Sequence, residues 1–130
     1  MRNAISKAHH DPYDLRCAFR FAREGITYTF SQERNMKIHV LAAVLALTSG
    51  FLFHLTTVEF AIIILCIVAV FASECFNTAL EAVVDLVSPT YADLAKHAKD
   101  AAAGAVLICA LGSVIVGCLI YIPAIIRLFT

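Results

Sequence analysis

The chain has 130 residues, zero formal net charge, 61% hydrophobic residues and only 15% charged ones. An average soluble domain carries about 25% charged and about 45–50% apolar residues, so the balance excludes a disordered chain and an ordinary soluble enzyme. Neutral charge also argues against a nucleic-acid partner, and a small all-α integral membrane protein is what remains.

Residues 1–13 are polar, contain Pro12, and read as a flexible leader. From Asp14, a candidate N-cap, the pattern changes. Leu15, Ala18, Phe19, Ala22, Ile26 and Phe30 share one helical face, and Arg16, Arg20, Arg23 and Thr27 share another. This predicts an amphipathic surface helix over 14–35, its arginines serving as a membrane anchor or as contacts to phosphate. The segment Ser31–His39 is a dense polar patch. It reads equally as a solvated boundary or as part of a site.

From Ile38 to Val58 no Asp, Glu, Lys or Arg occurs. These 21 residues would span about 32 Å as a helix, enough for a hydrocarbon core of about 30 Å. Further apolar runs predict three transmembrane helices at 38–57, 59–87 and 91–126 in a single membrane domain. Seven Lys or Arg residues fall within 1–37, whereas the link near His54–Glu59 has none and the link near 88–100 has Lys96 and Lys99. That bias predicts a cytoplasmic N-terminus. The first apolar run starts too late and runs too long for a signal peptide. Four of the five cysteines lie in apolar helices and match no metal-binding spacing.

The second apolar segment carries Glu74, Asn77, Glu81 and Asp85 at i, i+3, i+7 and i+11, one stripe on a helix. An acid at a membrane-helix centre costs roughly 2.5–3.5 kcal/mol on insertion scales. Either the helix emerges into water near residue 74, or the stripe faces a bundle interior and binds a cation or polar group. Pro89 ends this helix, and Ser88 or Thr90 is expected to cap the next. Glu33, the acidic stripe, and Lys99 with Asp100 all fall near one interface. Such a set supplies metal ligands, a base and a phosphate-neutralising cation, the parts that phosphoryl transfer needs. No P-loop or kinase Gly-rich loop is present.

Two motifs, Glu74-x-x-Asn77-x-x-x-Glu81-Ala82-Val83-Val84-Asp85 and Ala98-Lys99-Asp100-x-x-x-Gly104-Ala105-Val106-Leu107, resemble the small prokaryotic diacylglycerol kinases. Glu33-Arg34-Asn35-x-Lys37-Ile38-His39 looks like the undecaprenol kinase branch of that family. The resemblance covers residues 15–125. It implies a three-span protomer with a surface helix, a homotrimer with active sites shared between neighbours, and a bacterial inner (plasma) membrane location. It further implies a lipid kinase that uses MgATP, with undecaprenol as preferred substrate, recycling a carrier lipid for cell-wall synthesis, and diacylglycerol as the alternative. By position, Glu74 would be the catalytic base and Asn77 its support, and Glu33 and Glu81 would hold Mg²⁺ with the nucleotide phosphates. Asp85, Lys99 and Asp100 would contact ATP, and Thr90, Tyr91 and Ala92 would meet its base. The resemblance singles out none of Arg16, Arg20 and Arg23. Two non-enzymatic readings also fit the acidic stripe alone: a proton or cation pathway, and an assembly subunit that uses polar residues to pair helices.

Overall fold

The computed structural model describes residues Leu15 to Phe129, so the expected leader over 1–13 and the Asp14 cap lie outside the described residues. Among those described, the chain is all-helical: α1 Leu15–Gln32, α2 Arg34–Leu52, α3 Thr57–Val87 and α4 Asp93–Ile126. The last three are each long and apolar enough to cross a membrane.

The segment expected as one helix over 14–35 is split at Glu33. The Glu33 amide donates to the Thr29 carbonyl at 2.8 Å, which closes α1. Glu33 itself is extended (φ −89°, ψ 117°) at the N-cap of α2, yet its side chain makes no capping hydrogen bond. A capping position is thus filled by a carboxylate that is not used for capping.

The first span occupies Arg34–Leu52 rather than 38–57 because the chain turns at His54. The Leu55 amide donates to the Gly50 carbonyl and the His54 amide to that of Phe51. His54 has φ +52°. Together these make a Schellman ending with a histidine in the left-handed position, where glycine is usual. Gly50 is required by a close approach: a Cβ there would lie 2.9 Å from the Phe60 ring. α3 then begins at Thr57, ahead of the expected 59, because Thr56 and Glu59 form a capping box. Ser88 and Thr90 do not cap α4, contrary to expectation. The Ser88 hydroxyl donates to the Thr90 carbonyl, and the N-cap of α4 is Ala92, with no side-chain hydrogen bond. The loop is closed on itself before the helix starts, so α4 begins at Asp93 instead of 91.

α3 and α4 form the most extensive helix pair, α2 packs on α3, and α1 touches α2 and α3. The apolar core sits at one end of the bundle around Leu55, Ile63, Ile120 and Ala124. There the Tyr121 hydroxyl donates to the Ala46 carbonyl, tying α4 to α2. Phe30 meets Phe71 edge-on at 6.2 Å and docks the end of α1 on α3. Leu41, Leu45, Leu65, Ile108, Leu111 and Leu119 remain exposed. In water such a surface would be unfavourable, whereas lipid tails cover it at no cost. At 1.5 Å per residue the 19 residues of α2 span about 28 Å, while the 31 of α3 and 34 of α4 span about 46 and 51 Å. The excess length of α3 and α4 holds their polar ends near the mouth of α2 and beyond it, and the site lies there.

Candidate active site

The acidic stripe of α3 changes environment along its length. Glu74 is 1% exposed and Asn77 7%, Thr78 is buried beside them, Glu81 is half-buried and Asp85 is exposed. Neither simple reading of the stripe is complete: it starts inside the bundle and ends at the surface. Thr78 donates its hydroxyl to the Glu74 carbonyl, so it serves the helix backbone.

Glu74 faces α2. The His39 Nε2 lies 3.1 Å from Glu74 Oε1, although no hydrogen bond is aligned on that oxygen. Asn77 donates from Nδ2 to Glu81 Oε1 at 3.1 Å, and its own Oδ1 is buried without a donor. The charges of Glu33 and Glu81 both act on Glu74. Glu81 also acts on Lys99. Lys99 Nζ in turn donates to Asp85 Oδ1 at 2.8 Å, joining α4 to α3. Two contacts, Asn77 with Glu81 and Lys99 with Asp85, are thus joined to Glu74 and Glu33 by charge acting through space.

Two openings flank these residues. A cavity of about 220 Å³ is lined by Asn35, His39, Glu74 and Asn77 on its polar side and by Val106 and Leu107 on α4. It shares His39 and Ala110 with an apolar groove of about 330 Å³ that runs on between Ala43, Ala46, Val70 and Gly117. The other opening, about 350 Å³, lies at the α3–α4 loop and includes Asp85, Thr90, Tyr91, Ala92, Lys99 and Asp100. The Tyr91 hydroxyl donates to Asp93 Oδ1 at 2.9 Å, and donation to a carboxylate holds the phenol above its ordinary pKa. Asp100 is paired with Lys96, so it and Lys99 face different partners although adjacent in sequence.

Among the described residues no three His, Cys, Asp or Glu side chains converge on a point where they would hold a metal alone. Glu33 and Glu81 are oxygen donors whose charges both reach Glu74, and Mg²⁺ takes one or two such carboxylates and completes its shell with phosphate oxygens and water.

The sequence placed Lys96 only in the charge bias and His39 only in the polar patch and the branch motif, and gave neither a place in the site. The signal of His39 was an imidazole at the second position of the charge-free run, about one and a half turns into α2.

The prokaryotic diacylglycerol kinase profile matches residues 20–121. The chain belongs to that family. It is 43% identical over 116 residues to a diacylglycerol kinase of Synechocystis sp., a match covering 88% of this chain and 66% of that protein. It is 46% identical over 106 residues to an undecaprenol kinase of Bacillus subtilis, covering 82% of this chain and 86% of the relative. The chain thus spans just under two thirds of the Synechocystis relative's length and most of the Bacillus one. Family membership makes this a membrane lipid kinase by descent, with ATP the implied phosphoryl donor.

Proposed function

We propose that the chain transfers the γ-phosphoryl group of MgATP to the hydroxyl of a membrane lipid alcohol, with undecaprenol preferred and diacylglycerol the alternative acceptor. The observation that carries this reading is the placement of Glu74. It is a buried carboxylate in a polar cavity that meets an apolar groove at His39 and Ala110. A lipid alcohol has the same polarity: a long tail for the groove and one hydroxyl for Glu74.

In this reading Glu74 takes the proton as the lipid oxygen attacks phosphorus. Asn77 holds Glu81 in place through its amide and offers Oδ1 to a donor on the substrate side. Glu33 and Glu81 hold Mg²⁺, which supplies charge neutralisation on the phosphates when bound. Lys99 leaves Asp85 for a phosphate oxygen, and Asp85 and Asp100 complete the polar rim. Thr90, Tyr91 and Ala92 meet the nucleotide base at the loop. The protein sits in a bacterial inner membrane, with its arginine-rich N-terminal side in the cytoplasm, where ATP is found.

The same reading includes a homotrimer with shared sites. It is what the family resemblance implies. The preference for undecaprenol is supported by the Glu33–His39 segment and by the Bacillus relative's name.

The test offers purified protein MgATP with undecaprenol and with diacylglycerol in parallel, comparing kcat/KM. A higher value for undecaprenol is expected. A higher value for diacylglycerol reverses the preference, and no transfer to either lipid overturns the reading.

A further inference from the structure

Phosphorylating an alcohol with MgATP near neutral pH releases a proton. The lipid O–H bond breaks, an O–P bond forms, the bond from the γ-phosphorus to the ADP oxygen breaks, and the hydrogen leaves as H⁺. Glu74 can receive that proton, but with 1% exposure it has no direct access to bulk water. The enzyme must clear it before the next turnover, because a protonated carboxyl cannot act as a base.

His39 is the side chain placed to clear it. Its Nε2 lies 3.1 Å from Glu74 Oε1, and its side chain is 21% exposed against 1% for Glu74, so it is the more accessible member of the pair. The charged groups around the pair are few. Glu33 and Glu81 act on Glu74. The α4 wall of the cavity, Ala103, Val106, Leu107 and Ala110, contributes no ionisable group. Within the cavity no other side chain pairs with Glu74.

We infer that His39 is a positioning residue for Glu74 and the next acceptor of its proton. Resting on the lipid-kinase reading, this adds a second step to it. The proton moves from the Glu74 carboxyl to His39 Nε2, restoring the carboxylate, and the imidazolium then gives up a proton to water. His39 also lines both the polar cavity and the apolar groove. The same imidazole therefore fixes the Glu74 carboxylate at the point where a lipid hydroxyl would emerge from the groove.

The test measures phosphoryl transfer from MgATP to undecaprenol by full-length wild type, His39→Gln and His39→Ala, with and without added imidazole. In His39→Gln, which keeps a polar side chain that cannot carry the proton, kcat is expected to fall about tenfold to a hundredfold, within the range for assisted proton transfer. The KM values for lipid and MgATP are expected to stay near wild type. Imidazole, entering the space vacated in His39→Ala, is expected to restore part of kcat. A wild-type kcat in His39→Gln, or a His39→Ala enzyme that imidazole leaves unimproved, overturns the assignment while leaving the kinase reading intact. A wild type that phosphorylates no lipid alcohol overturns both.

Discussion

The two ends of the bundle use the same residue types in opposite ways. At the α2–α3 turn, Glu59 receives the Thr56 amide and hydroxyl at 2.7 and 2.8 Å and the Arg127 guanidinium at 3.0 Å. Every contact there closes on another part of the chain: a helix is capped, and the end of α4 is tied to the start of α3. At the other end Glu74 and Asn77 are more deeply buried, yet each keeps an oxygen without a hydrogen-bond donor. A buried polar atom left unpaired costs about 1–3 kcal/mol. Polarity that only holds a fold is satisfied within the fold, whereas polarity left open inside a membrane protein is held for something that arrives.

That contrast yields expectations of decreasing size. Removing Mg²⁺ with a chelator should abolish phosphoryl transfer, and Glu33→Gln or Glu81→Gln should each raise the Mg²⁺ concentration needed for half-maximal rate. Single variants with a wild-type Mg²⁺ dependence would remove the metal from these two residues. Lys99→Met should raise the KM for ATP by about tenfold, the scale of one charge-assisted hydrogen bond, with little change in lipid KM. An unchanged nucleotide KM contradicts its role. At the closed end the effects should fall on stability instead. Thr56→Ala should cost about 1 kcal/mol, as loss of a helix cap does, and leave turnover per folded enzyme unchanged when unfolding and rate are measured on one preparation. His54→Gly should be neutral or stabilising by up to about 1 kcal/mol, because glycine adopts the left-handed turn without a Cβ penalty. A lower Tm would mean that the imidazole makes a contact that outweighs this relief.

The sequence was most readable where one helix contains the whole signal. Charge-free runs show the three spans because burying a charge in lipid is costly, and the i, i+3, i+7, i+11 spacing shows the acidic stripe because helical geometry is regular. It was least readable where two distant segments meet. The break at Glu33 depends on Thr29 and Phe30 docking on the bundle, and the turn at His54 relies on a histidine where glycine is the usual sign. The pairing of Lys99 with Asp85, and of Asp100 with Lys96, separates two neighbours that sequence places together. His39 gained its meaning only when α2 was laid against α3.

The most direct measurement is labelled phosphoryl transfer from MgATP to undecaprenol by Glu74→Gln, read beside its thermal unfolding in the same detergent. Loss of transfer by at least about a hundredfold, the lower range for removing a general base, with a Tm at or above that of wild type, is the expected result. Transfer at the wild-type rate, or a loss fully explained by unfolding, would show that this carboxylate belongs to the scaffold and not to the reaction.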